Sequence, residues 1–143
     1  MKKSIKEKIS NLLKTQRFAV IATQDKNEPY TNLVTFLASK DLKKIYFPTS
    51  KNTKKYENLS TNSKISILID NRVNKPKDIK NAIALTAAGR SKEIKNKEIV
   101  NSFLKKHPYL RDFVYSKDCA MIEIKIEKYI FVDNFQNVNI INF

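Results

Sequence analysis

The stretch Tyr46-Phe47-Pro48-Thr49-Ser50-Lys51-Asn52-Thr53-Lys54-Lys55 holds the densest set of chemically useful side chains in the chain. Thr49, Ser50 and Thr53 supply hydroxyls and Lys51, Lys54 and Lys55 supply charge, at the predicted end of a strand and start of a helix. Free backbone N–H groups and the helix dipole favour an anion there, and a phosphate monoester suits such a set. Thr53 would cap the helix, Thr49 would donate from the strand end, and Lys54 and Lys55 would neutralise the phosphate. Taken alone, the segment is read first as a capped helix with solvated lysines and only second as a site.

Other chemistries are excluded by what is scarce. The only glycine, Gly89, cannot build the Gly-rich phosphate cradles of dinucleotide-binding or P-loop folds. The only cysteine, Cys119, forms no intrachain disulfide, and with the only histidine, His107, it makes no metal cage, so no metal site is expected. Cys119 opens an apolar strand and reads as a small core residue. His107 lies between Lys106 and Pro108 at a helix end and reads as a cap on the terminal carbonyls. Tyr109, Phe113 and Tyr115 read as packing residues, with a pocket lining as the alternative.

The net charge of +14 raises nucleic acid as a partner, but arginine is confined to Arg17, Arg72, Arg90 and Arg111 and the lysines are scattered. The bidentate group that reads bases is scarce, so a lysine-rich surface with an anionic ligand is favoured over specific nucleic-acid binding. Met1-Lys2-Lys3 looks like the basic start of an export signal, but Lys6, Glu7, Lys8 and Lys14 interrupt the apolar run that such a signal requires. No apolar run approaches the ~20 residues of a membrane span. A free thiol without an export signal points to the cytoplasm.

The 143 residues suit one domain, 1–143, with one core. Ser4 and Glu7 read as a capping box for a helix bearing Ile5, Ile9, Leu12 and Leu13 on one face. Phe18–Thr23 and Tyr30–Leu37 read as a hairpin, with Asn27 at a positive-φ turn position. Lys44–Pro48 is a strand, Thr53 caps a helix to Leu59, and Lys64–Ile69 is a strand. Asp70–Lys80 is a polar loop, and Ala82–Ala88 is a strand ending at Gly89. A helix over Glu98–His107 precedes strands at Cys119–Ile126, Tyr129–Asp133 and Val138–Phe143. About seven short strands joined mostly by turns suggest a mainly β fold, a closed antiparallel barrel with helices at its rim.

In this setting the chain resembles the pyridoxamine 5′-phosphate oxidase-like, FMN-binding split barrels over nearly its whole length. The resemblance is carried by Asn27-Glu28-Pro29-Tyr30-Thr31-Asn32-Leu33-Val34-Thr35-Phe36, by Phe47-Pro48-Thr49, by Thr53-Lys54-Lys55 with Asn58-Leu59, and by Ile65-Ser66-Ile67-Leu68. Asp70-Asn71-Arg72, Asp78, Ala82–Gly89 and the Tyr129–Val138 tail add to it. It implies a mainly β, antiparallel split barrel that binds FMN. The strand Asn32, Leu33, Val34, Thr35 would lie along the flavin, while Pro48, Thr49, Thr53, Lys54 and Lys55 would hold its phosphate. Arg72 would stabilise a reduced flavin or a substrate carboxylate, or else remain a surface arginine.

The resemblance further implies a homodimer and an FMN-dependent oxidoreductase acting on a small molecule, with no assignable catalytic residue. A non-catalytic flavin carrier and a haem-binding relative on the same barrel are the alternatives. The vitamer oxidase carries arginine where this chain has Asn32 and lysine where it has Leu37. Oxidation of pyridoxamine 5′-phosphate itself is therefore not expected.

Overall fold

The computed structural model describes residues 3–143; Met1 and Lys2, the start of the basic N-terminal run, lie outside the described residues. Helix α1 (Ile5–Thr15) starts as its sequence predicts: Ser4 is extended at the N-cap and its hydroxyl accepts the Glu7 amide at 3.2 Å. Its apolar stripe, Ile9, Leu12 and Leu13, is buried in the main core.

The strands are β1 (Phe18–Asp25), β2 (Glu28–Thr35), β3 (Leu37–Ala38), β4 (Lys44–Ser50), β5 (Lys64–Asp70), β6 (Ala84–Ile94), β7 (Cys119–Asp133) and β8 (Asn137–Asn142). All their pairings are antiparallel. β1 and β2 form the expected hairpin, with Asn27 at φ 72° as anticipated and Lys26 also positive at 49°. Two left-handed residues in a two-residue turn match the twist of the flanking strands.

The sheet order is β2-β1-β5-β6-β7-β4-β3, with β8 pairing on β7. Its two edges, β2 and β3, are separated in the chain by Phe36 alone, so the sheet must curl until the edges approach each other there. The expected single strand Tyr30–Leu37 is broken at this corner. Among the described residues no ladder joins β2 to β3, so the barrel is split rather than closed. Phe36 is fully buried.

Two further boundaries differ from expectation for one reason. β6 runs on through Gly89 to Ile94, and β7 is one strand of 15 residues instead of two. The register steps from Ala88↔Lys128 to Gly89↔Ile126, so Glu127 is a bulge. Ile122, Ile124 and Ile126 face inward before it and Tyr129 and Phe131 after it. That change of parity resembles a strand break in the sequence. A Cβ at Gly89 would collide with the backbone carbonyl of Lys125, so the glycine is required by close approach rather than by a turn.

The inward faces of the strands and α1 form the main core. A second core lies outside the barrel, where Tyr46 and Met121 meet Phe103 and Leu104 of α4 (Lys97–Lys106). A 3-10 turn at Pro108–Leu110 and α5 (Arg111–Val114) follow. The packing role expected for Tyr109, Phe113 and Tyr115 is not realised within this chain: they are 96%, 39% and 58% exposed. His107 does end α4, but its ring bonds elsewhere; the imidazole Nε2 lies 2.8 Å from the carbonyl of Phe36, at the barrel corner. The short α2 (Lys54–Thr61) and α3 (Asp78–Asn81) complete the chain, α3 lying inside the loop expected at Asp70–Lys80. No helix among the described residues is long and apolar enough to cross a membrane.

Candidate functional site

β4 carries Thr49 into the protein, where it is 1% exposed, and the chain then turns through Ser50-Lys51-Asn52 into α2. Thr53 is extended at the N-cap, and its hydroxyl accepts the Tyr56 amide at 3.4 Å while donating to the Ser50 carbonyl at 2.8 Å. The Thr49 hydroxyl lies 3.2 Å from that of Thr53. Strand end and helix cap thus present two adjacent hydroxyls. Pro48, one residue earlier, is buried opposite Met121 of β7.

The two lysines of the first turn of α2 have separate fates. Lys54 Nζ lies 2.8 Å from the Asp25 carboxylate at the end of β1, with Glu57 at 3.9 Å. The hydrogen bond from Lys54 holds the Asp25 pKa below its ordinary value, and Asp25 in turn raises that of Lys54. Lys55 is half-buried and has no carboxylate within 4.0 Å among the described residues. Burial alone pushes its pKa down.

The rotation of α2 is fixed from β1. The buried Asn58 amide donates to Thr23 Oγ1 at 3.0 Å, and Asn62 donates to Gln24 Oε1 at 3.0 Å. Tyr56 on the other side donates its hydroxyl to Glu93 of β6 at 2.5 Å.

The expected flavin strand lies on β2. Asn32 and Val34 sit on its inward face, with Asn32 opposite Ile21. Leu33 and Thr35 sit on the outward face, opposite Val20 and Phe18. Leu33 is 67% exposed. Asn32 Oδ1 is buried without a hydrogen-bond partner, the one such side-chain atom among the described residues. A buried acceptor of this kind needs a donor from water, a ligand or a partner chain. Arg72 lies apart from the threonine–lysine cluster: it pairs with Asp70 at 3.3 Å and shares with Leu33 and Leu68 an outer groove of about 370 Å³.

The fold therefore brings Thr49 and Thr53 together at the start of α2, beside Lys54 and Lys55, and places Leu33 with Arg72 on the outer face. The sequence reading missed Asp25 and Glu93. Neither has a local signal, since each meets α2 only through tertiary packing.

The sequence matches the pyridoxamine 5′-phosphate oxidase family over residues 5–133. This chain belongs to the pyridoxamine 5′-phosphate oxidase family. No match was found among curated proteins. Its fold is similar to that of general stress protein 26 from Bacillus anthracis, at 16% identity and a TM-score of 0.78, covering 97% of this chain and 98% of that one. It is similar also to a FAD-binding protein from Mesorhizobium loti, at 20% identity and a TM-score of 0.70, with 90% and 94% covered. A haem-binding protein from Mycobacterium smegmatis has a TM-score of 0.85 at 14% identity; 99% of this chain is covered but only 59% of that protein. At these identities the likeness concerns the split-barrel fold. In the pyridoxamine 5′-phosphate oxidase family frame, the matched segment takes in both the β4–α2 cluster and the β2 strand.

Proposed function

We propose that this chain binds FMN and works as a flavin-dependent oxidoreductase on a small molecule. Lys55 is the observation that supports this most: a half-buried ammonium without a carboxylate among the described residues, in the first turn of the helix whose cap hydroxyl lies 3.2 Å from a second threonine hydroxyl. A phosphate monoester at the positive end of α2 would give Lys55 the anionic partner it lacks, with the Thr49 and Thr53 hydroxyls turning to it from their bonds within the strand–helix turn. Asn32, Leu33, Val34 and Thr35 would hold the ring system, with Asn32 Oδ1 accepting from a ring donor. Flavin, when bound, supplies hydride and electron transfer; the chain orients it, sets the polarity around it and excludes water.

The protein acts as a homodimer in this reading. On the outer face the register aligns Leu33, Val20, Leu68, Thr86, Ile130 and Ile140 in one row across six strands. Leu33 and Ile140 are 67% and 59% exposed. A mostly apolar row of this extent suits an isologous contact with a second copy. Neither Thr49 nor Lys55 lines the larger cavities of the single chain.

The flavin reading is preferred to haem because His107 is buried and committed to the Phe36 carbonyl. We place the protein in the cytoplasm on its free thiol, Cys119. Asn32 and Leu37 leave the phosphate of pyridoxamine 5′-phosphate without two cations, so its oxidation is expected to be negligible; turnover near about 1 per second under air would overturn this. Fluorescence titration tests the reading as a whole. FMN is expected to bind at least about tenfold more tightly than riboflavin, and equal affinities would refute the site.

A further inference from the structure

We infer that Asp25 is a built-in counter-ion of the phosphate site: it holds Lys54 in an ion pair and leaves Lys55 as the cation that meets the phosphate. The inference rests on the FMN reading and assigns a specificity role within that site. Successive helical residues diverge by roughly 100° around the axis. Lys54 and Asn58, four residues apart, share one face, and both are bound to β1, through Asp25 at 2.8 Å and Thr23 at 3.0 Å. Lys55 and Leu59 share the next face, where Leu59 packs against the barrel core.

The geometry fixes this division before any ligand arrives. Asn58 and Asn62 set the rotation of α2 on β1, and Asp25 is held by its register opposite Glu28 at the hairpin end. Lys54 therefore emerges over a carboxylate, and the Asp25–Lys54 pair adds almost no net charge to the site. The same carboxylate repels an incoming phosphate once Lys54 is removed. Affinity is set by the hydroxyls, the free amides of α2 and Lys55, and Asp25 holds it below what two free lysines would reach.

The test is FMN and riboflavin affinity, measured by flavin fluorescence, for the wild type, Asp25→Asn, Lys54→Gln, the double variant and Lys55→Gln. Asp25→Asn is expected to tighten FMN roughly two- to fivefold, the scale of an exposed ion pair. Lys54→Gln is expected to weaken it by a similar factor. The Asp25→Asn/Lys54→Gln double variant should return to within about twofold of wild type, while Lys55→Gln loses roughly tenfold or more. Riboflavin affinity should not move in any of them.

Tightening by Asp25→Asn together with a near-wild-type double variant supports the inference. A double variant as weak as Lys55→Gln would overturn it by showing that Lys54 grips the phosphate itself, and Asp25→Asn that binds FMN unchanged or more weakly would overturn it by showing that Asp25 does not restrain the site. Wild-type protein that fails to prefer FMN over riboflavin refutes the FMN reading instead, and the inference with it. Asp25 and Lys54 are both substantially exposed, so thermal melts are expected to stay close to wild type.

Discussion

Replacing Lys55 by alanine removes the one cation of the α2 first turn that has no carboxylate partner among the described residues. A hydrogen bond to a charged group contributes about 1.5 to 3 kcal/mol, so FMN should bind roughly ten- to 150-fold more weakly while riboflavin is unaffected. The pH dependence carries the same signature. Burial holds the Lys55 pKa below its ordinary value in the free chain, and a bound phosphate dianion raises it. FMN affinity should therefore rise as the phosphate loses its second proton near about pH 6. It should fall again as the pH climbs through the depressed Lys55 pKa. Riboflavin should show neither limb, and Lys55→Ala should lose the alkaline one. Fluorescence titrations of both flavins across pH measure all of this. A loss for riboflavin equal to that for FMN would refute the phosphate assignment, because the defect would then be structural.

Gly89→Ala places a methyl group against the Lys125 carbonyl and should cost more than about 2 kcal/mol, seen as a lower thermal midpoint; an unchanged melt would deny the close approach. Leu33→Asp puts a charge on the most exposed residue at the β2 end of the outer row and should yield monomers in light scattering, with weaker flavin binding; an intact dimer would place the interface elsewhere. Burial, with the charges of Lys106 and Arg17 behind it, keeps the His107 pKa below 6.5 despite the Phe36 carbonyl. The unfolded chain thus binds the proton first, and stability should fall as the pH drops through about 6.5, by up to roughly 1.4 kcal/mol per pH unit. His107→Gln keeps a donor for Phe36 and should flatten that fall; an identical acid profile would assign it to other groups.

Much of this architecture was legible because its causes are local. The Ser4 cap, the Asn27 turn and the Thr53 cap each depend on residues within a few positions, and the structure contains all three. Where long-range contact decides, the sequence misleads. The bulge at Glu127 shifts the inward parity of β7, so its continuity shows only beside β6. The break at Phe36 follows from sheet order rather than from any breaker residue, and His107 finds a carbonyl 71 positions away. Asp25 likewise gives no hint in its own neighbourhood that it faces Lys54.

In the FMN reading, the same distinction explains why β2 would hold the flavin although Leu33 and Val34 have no reactive side chains. β2 is an edge of the sheet, paired on one side by β1 and followed at once by the corner at Phe36. An edge strand leaves part of its backbone N–H and C=O row unpaired, which usually invites unwanted strand pairing. A planar ligand with its own donors and acceptors can use that row irrespective of side-chain type. The buried, unpartnered Asn32 Oδ1 lies on this strand. What the strand offers is thus a matter of its place at the sheet edge, and residue types alone do not reveal it.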